Sequence, residues 1–228
     1  MNEGQKNVLL IGSNGTIGAA LADLISSDQS IKLYKLSRDD TDYSEESLAE
    51  HAKSLKLAGA FSRVICCIGT LHNEVVSPEK CLAHLSQKAL SEYFQINTIL
   101  PALCIKHFAG LLDKQNASQF IALSAMVGSI GENQLGGWYG YRSSKAALNM
   151  MIKTASIEVA RSNRKACLAV VHPGTTQGPL SKPFAGGVSK DKYYTAAQSA
   201  ERIWTLSEEL TANQTGSFYN WDGSILEW

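Results

Sequence analysis

A short apolar run, Val8-Leu9-Leu10-Ile11, ends in Gly12-Ser13-Asn14-Gly15-Thr16-Ile17-Gly18. Such a run suits a strand buried on both faces. After it, Ile17, Leu21, Leu24 and Ile25 recur at helical spacing. A strand that passes through three spaced glycines straight into a helix leaves few folds open. Glycine permits the tight turn and lets backbone N–H groups come close to an anion. The helix N-terminus adds the positive end of its dipole. Gly12, Ser13, Asn14, Gly15, Thr16, Ile17 and Gly18 are therefore read as a cradle for a dinucleotide pyrophosphate.

The rest of the chain alternates in the same way. Strands are expected at Ile31–Leu36, Phe61–Ile68, Phe120–Leu123, Leu168–Val171 and Phe218–Trp221. A further short third strand is presumed just before Asp42. Ser44 is an N-cap for a helix to about Leu55. A helix from Ser86 to Leu112 is interrupted by Pro101, and another runs from Tyr139 to about Ala160. Thr195-x-x-Gln198 is a capping box for the last helix. Thr175–Tyr194 contains Gly178, Pro179, Pro183, Gly186 and Gly187 and reads as a loop long enough to be a lid. The alternation predicts one doubly wound α/β domain of Rossmann type over residues 1–228. Its mostly parallel, seven-stranded sheet would carry helices on both faces.

Composition narrows the function. The 228 residues hold 21 Lys+Arg and 21 Asp+Glu, a formal net charge of zero. That balance argues against a nucleic-acid binder held by phosphate neutralisation. No apolar run reaches membrane-spanning length and no signal-like start is present, so a cytoplasmic location and no membrane partner are expected. Cys66, Cys67, Cys81, Cys104 and Cys167 show neither zinc nor redox spacing and are read as reduced, buried thiols. His51, His72, His84, His107 and His172 have no metal-ligand spacing, so no metal is expected.

Ser37-Arg38-Asp39 follows the second strand. An acid there binds a ribose 2′-hydroxyl, whereas an Arg accommodates a 2′-phosphate. Ser37 and Arg38 favour NADP(H); Asp39 and Asp40 keep NAD(H) possible. Farther on, Tyr141-Arg142-Ser143-Ser144-Lys145 puts a phenol and an amine on one helical face. A free Tyr titrates near pH 10, and a neighbouring cation stabilises its phenolate. A fall of about two to three pKa units, roughly 3–4 kcal/mol, would fit Tyr141 for acid–base work and is within reach of a nearby Lys and an oxidised nicotinamide together. Pro101 lies four residues after Asn97 and has no N–H, so the Asn97 carbonyl loses its helical partner and is free for water.

These features occur in order: the glycine turn, Gly69, Asn97, Ser124, Tyr141-x-x-x-Lys145 and Pro173-Gly174. Over essentially its full length the chain resembles the short-chain dehydrogenase/reductase family. Gly128-Ser129-Ile130 and the stretch Gly136-Gly137-Trp138-Tyr139 to Asn149 resemble its C-factor and sniffer-like carbonyl reductase subgroup.

The resemblance implies an NADP(H)-dependent oxidoreductase that moves hydride between nicotinamide and a carbonyl or alcohol. Tyr141 would be the general acid, Lys145 would hold the nicotinamide ribose and lower the Tyr141 pKa, and Asn97 would anchor a relay water. Asp42 would contact the adenine. Cys67, Ile68 and Gly69 would line the cofactor, and Pro173, Gly174, Thr175 and Thr176 would face the nicotinamide. The resemblance further implies a homodimer or homotetramer built through the helices bearing Asn97 and Tyr141.

Three departures stand out. Where the family has a Ser pair, this chain has Ser124-Ala125; Ser124, Ser129 or no Ser at all could serve there. Cys66-Cys67-Ile68-Gly69 replaces Asn-Asn-Ala-Gly, and Gly178 replaces a Thr that contacts the nicotinamide amide. Trp138, Tyr139 and Met126 are either the lining of an apolar substrate pocket or ordinary packing. The alternative function is a non-catalytic NADP(H)-binding redox sensor or signalling protein on the same fold.

Overall fold

The computed structural model describes residues 5–187 and 189–228. The main strands are β1 (Lys6–Ile11), β2 (Ile31–Leu36), β3 (Phe61–Cys66), β4 (Ser118–Leu123) and β5 (Ala166–His172). Short strands β6 (Thr175–Thr176) and β7 (Tyr193–Tyr194) precede β8 (Ser217–Asn220). The helices are α1 (Thr16–Ser26), α2 (Glu45–Lys56), α3 (Gln87–Phe94), α4 (Leu100–Phe108), α5 (Tyr139–Ser162) and α6 (Ala196–Glu209).

The principal sheet is parallel throughout, in the order β2-β1-β3-β4-β5-β8. Its strands are buried on both faces, and successive residues divide between two cores. Leu9, Ile11, Phe120, Ala122, Leu168 and Val170 pack against Leu48 of α2, Cys104 and Phe108 of α4, and Leu148 and Ile152 of α5. Val8, Leu10, Ile121, Leu123, Ala169 and Val171 pack against Leu21 and Ile25 of α1 and Ala200 and Ile203 of α6. This is the period of two expected of strands covered on both sides.

Register aligns the strand ends. Ile11 pairs with Leu36 and with Cys66, Cys66 with Ala122, and Leu123 with Val171. From β1 the chain moves outward to β2 and then returns to add β3 on the other side. The order therefore reverses between β1 and β3, where open α/β sheets hold their ligands.

The principal sheet has six strands rather than the expected seven. The presumed third strand is absent because residues 37–44 turn directly into α2. The Asp40 carboxylate accepts the Ser37 N–H and hydroxyl, both at 2.8 Å, and Thr41 N–H donates to the Ser37 carbonyl at 3.1 Å. Strand β3 also stops at Cys66 rather than Ile68. The segment 175–194 is a loop with an anchored base: β6 and β7 pair in parallel, Thr175 with Tyr193 and Thr176 with Tyr194.

Both expected caps are present. Ser44 accepts the Ser47 N–H, and Thr195 and Gln198 cap each other reciprocally. Cys66, Cys104 and Cys167 are buried, but Cys67 is only half-buried and Cys81 is exposed at the start of a surface 3-10 turn. Among the described residues, no helix is long and apolar enough to cross a membrane.

Candidate active site

The glycine turn lies at the C-terminal end of β1. Gly12 has φ +76°, and a Cβ there would stand 3.2 Å from the Cys67 carbonyl carbon. A Cβ on Gly18 would stand 2.2 Å from the Gly12 carbonyl oxygen, so α1 meets its own turn with no room for a side chain. Helix α1 starts on Gly15, which offers no side-chain cap, and no acid occupies the first turn. Its first N–H groups are thus left for an outside acceptor. Asn14, Gly15 and Thr16 are exposed at the tip, while Ser13 is buried. This donor set and missing side-chain bulk fit a pyrophosphate.

The segment after β2 binds itself tightly. The Ser37 hydroxyl is engaged by Asp40, which holds that carboxyl below its usual range. Asp39 accepts from the Asn14 amide. Arg38 is exposed. Asp42 is exposed and accepts the Ser44 N–H at 2.8 Å, at the start of α2.

Lys145 occupies the centre. It is only 3% exposed, and its Nζ donates to the Leu123 carbonyl at 2.9 Å. A Cβ on Gly69 would lie 2.9 Å from that Nζ, and one on Gly128 would lie 2.9 Å from the Lys145 Cβ. Burial pulls the ammonium down to about 8. Asn97 borders the same point, its Oδ1 being 3.4 Å from where the Gly69 Cβ would be.

Pro101 alters the helix as its missing N–H requires. Between α3 and α4 the residues Gln95–Ile99 form a π-turn, a widening often found at functional sites. Asn97 sits in it, fully buried. Its Oδ1 accepts the Thr70 N–H at 2.7 Å, and its Nδ2 donates to the Thr70 carbonyl at 2.9 Å and to Ser144 Oγ at 3.0 Å. The amide side chain is thus spent on bracing the loop after β3 against α5.

Tyr141 lies one helical turn before Lys145. Its ring is flanked by Tyr93 at 6.2 Å and by Trp138 at 6.1 Å. Burial raises the phenol above its ordinary value. The expected lowering needs a nearby Lys and an oxidised nicotinamide together, and the protein's own groups do not supply it. The reason is that the Lys145 ammonium is itself desolvated and turned to Leu123, while apolar side chains surround the phenol. Leu71, Val76, Tyr93 and Ala125 pack with Tyr141, and Val127, Trp138 and Phe184 close around them.

The structure brings Ala125, not Ser124, to Tyr141. Ser124 is buried and its hydroxyl donates to Asn149 Oδ1 at 2.6 Å. Ser129 Oγ accepts the Glu132 N–H within its own turn. Of the three apolar candidates, Trp138 joins the cluster, Tyr139 is half-buried outside it, and Met126 is exposed on a 3-10 turn.

The loop from 175 to 194 spans the site. Gly174 has φ +78° and faces the rings of Tyr194 and Trp221. Thr176 Oγ1 lies 2.7 Å from Ser199 Oγ. A Cβ on Gly178 would lie 2.8 Å from Thr16 Oγ1, so glycine is needed where the loop crosses the phosphate turn. Phe184 lies edge-on to Trp138 at 5.3 Å and to His72 at 5.7 Å.

Sequence reading missed one residue of this region. Glu79 is 3% exposed and accepts the Gly140 N–H at 3.0 Å. The available signal was indirect: Trp138 precedes α5, yet tryptophan cannot act as an N-cap.

The family model described as short chain dehydrogenase matches residues 6–186. The chain belongs to that family. It is 31% identical over 144 residues to a 1-hydroxy-2-glutathionyl-2-methyl-3-butene dehydrogenase of Rhodococcus sp. (strain AD45), a match covering 63% of this chain and 61% of that protein. It is 27% identical over 160 residues to the C-signal protein of Myxococcus xanthus, covering 69% of this chain and 90% of that one. The chain thus spans about three fifths of the length of the Rhodococcus relative. In structure it resembles the NADPH-bound carbonyl reductase from chicken fatty liver, with a TM-score of 0.80 at 20% identity, covering 99% of this chain and all of the other.

The buried lysine has a measurable signature. An unfolded Lys keeps its proton to about pH 10.4, whereas Lys145 in the fold loses it at about 8. Between these values the unfolded state binds more protons, so the group adds stability as pH rises. Urea unfolding at pH 7 to 10 should show wild type gaining on Lys145→Met by up to about 1.4 kcal/mol per pH unit above pH 8. A difference that stays flat would contradict the assigned burial.

Proposed function

We propose that the protein is an NADP(H)-dependent carbonyl reductase in which Tyr141 is the general acid. The observation that carries the reading is the conjunction of an uncapped α1 N-terminus with Tyr141, Lys145 and Asn97, all at the C-terminal edge of one parallel sheet.

The Gly12–Gly18 backbone and α1 would hold the pyrophosphate. Arg38, exposed beyond β2, would take a 2′-phosphate, in keeping with the NADPH bound by the chicken reductase. Cys67, Ile68 and Gly69 would line the cofactor, and Asp42 would reach the adenine by leaving the Ser44 N–H. Lys145 would hold the nicotinamide ribose. Pro173, Gly174, Thr175 and Thr176 would flank the nicotinamide, which when bound supplies or accepts hydride.

A carbonyl oxygen facing Tyr141 receives the phenolic proton. A phenol carries its proton at neutral pH, as a donor must, and burial tightens its hold on that proton. Lys145, which sheds its proton near 8, and a water on the Asn97 carbonyl would return that proton from solvent. The cluster formed by Leu71, Val76, Val127, Trp138 and Phe184 excludes water from the reacting carbon and selects an apolar substrate. The exposed Met150, Met151 and Ile157 on α5 support a homodimer or homotetramer through this helix.

Ala125 gives the substrate range its form. A second hydroxyl on the developing oxyanion is worth about 10²–10³ in rate, and a methyl group replaces it here. Turnover then favours carbonyls already activated by a second, electron-withdrawing carbonyl, such as aromatic α-diketones and quinones. The same absence favours the sensor reading, which predicts cofactor binding without turnover.

Two results test the function. The protein should bind NADPH more tightly than NADH and oxidise NADPH with an aromatic diketone, and Tyr141→Phe should bind NADPH normally yet lose at least 10²-fold in turnover. Tight NADPH binding with no turnover on aldehydes, diketones or quinones would replace the reductase by the sensor. Ala125→Ser should raise kcat/KM for an unactivated ketone by about 10-fold or more; no gain would show that Ala125 does not occupy the oxyanion position.

A further inference from the structure

Glu79 is a buried carboxylate that the reaction described above does not use. It lies in the loop after β3, 61 residues before the group it binds. Its backbone carbonyl accepts the Trp138 N–H at 2.6 Å, and its Oε2 accepts the Gly140 N–H at 3.0 Å. Its Oε1 is buried with no hydrogen-bond partner among the described residues.

The contact falls at the first turn of the helix that carries Tyr141. Helix α5 begins after Trp138, whose backbone is left-handed at φ +53° and whose side chain caps nothing. That conformation is costly for a residue other than glycine and persists only where neighbours impose it. Here the two Glu79 hydrogen bonds impose it, one on either side of Tyr139. A carboxylate at this place also answers the positive end of the helix dipole. Glu79 is thus the N-cap of α5, supplied from another part of the chain.

The seat has little slack. A Cβ on Gly140 would stand 2.4 Å from Tyr93 Cδ2 and 2.8 Å from Glu79 Oε1. Tyr93 is itself fixed, its hydroxyl donating to the Leu71 carbonyl at 2.7 Å. Glu79 and Tyr93 therefore both press on Gly140 where a Cβ would stand, one residue before Tyr141. The same clamp sets Trp138, whose ring meets Tyr141 and Phe184.

We propose that Glu79 is the positioning residue for Tyr141: it caps α5 from the loop after β3 and holds the phenol and the Trp138 ring at the distance and angle that proton transfer needs. Proton transfer requires hydrogen-bond reach, and small displacements of an acid cost about 10²-fold in rate. The carboxylate oxygen that binds Gly140 is the working atom. The glycine turn lies on other elements, and Lys145, a full turn farther along α5, is held separately by the Leu123 carbonyl, so loss of the clamp should leave cofactor affinity nearly intact. The inference rests on Tyr141 being the proton donor.

The test uses the full chain, NADPH and an aromatic diketone. Glu79→Ala and Glu79→Asp, the latter one methylene too short, should lower kcat at least 10-fold while the NADPH Kd stays within twofold. Glu79→Gln, which keeps an oxygen for the Gly140 N–H, should recover to within about threefold of wild type. Gly140→Ala moves the same turn by a separate route and should lower kcat with NADPH affinity retained. Should Glu79→Ala fold poorly, the Asp and Gln variants decide.

The proposal is overturned if Asp keeps kcat within twofold of wild type. It is equally overturned if Gln falls as far as Asp, or if NADPH affinity falls in step with kcat. Tyr141→Phe, run alongside, separates the two readings. If that variant still turns over, the donor assignment fails; if it is dead while Asp at position 79 is fully active, only the positioning role fails.

Discussion

The burial of the Lys145 ammonium organises everything around it. Among the described residues no carboxylate pairs with it; its hydrogen-bond partner is the Leu123 carbonyl at the end of β4. A charge out of water is expensive unless well partnered. The fold meets the expense by making Lys145 easy to neutralise, with a proton lost at about 8, and by packing it closely. Gly69 after β3 and Gly128 after β4 both lack the Cβ that would strike its side chain. Asn97 adds the last wall, held by a π-turn that Pro101 induces. The ends of β3 and β4, the π-turn and α5 thus converge on one amine.

From that point the division of labour follows. The side of the sheet end toward β1 and β2 carries backbone donors and an exposed Arg38, the half that would take phosphate in the proposed function. The side toward α5 carries aromatic and aliphatic walls around the Tyr141 phenol, the half that would take an apolar carbonyl. The loop after β6 touches both, through Gly178 on Thr16 and Phe184 on Trp138. Its base is pinned where Arg202 stacks on Tyr194 and Trp221, at 3.9 and 3.7 Å from their ring centres. A cover anchored at one end and resting on both halves suits the proposed reaction, which needs water kept from the site.

Much of this was legible in the residues because it depends on local rules. Strand β2 and the caps at Ser44 and Thr195 follow from apolar patterning and side-chain capping within a few positions. The glycine turn is local too, since Gly12 and Gly18 answer to each other. The differences arise where side-chain contacts override the strand–helix pattern. A short third strand is presumed before Asp42, whereas Asp40 folds back on Ser37, three residues away, and carries the chain straight into α2. The Tyr141 phenol is expected to fall beside Lys145 and an oxidised nicotinamide; the apolar walls around it act the other way. Glu79 carries no motif; only the missing cap of α5 hints that a partner must come from elsewhere. Ser124 and Ala125 differ by one position, and strand geometry sends the hydroxyl to Asn149 and the methyl to Tyr141.

The account stands or falls on hydride passing from the cofactor to a carbonyl carbon held beside Tyr141. The most direct measurement is a turnover with NADPH carrying deuterium at both nicotinamide C4 positions and an aromatic diketone as acceptor, with the alcohol product weighed by mass spectrometry. The account predicts one deuterium, carried on the new carbinol carbon. An alcohol whose carbinol hydrogen comes from solvent, or NADPH bound with no alcohol formed, would contradict it.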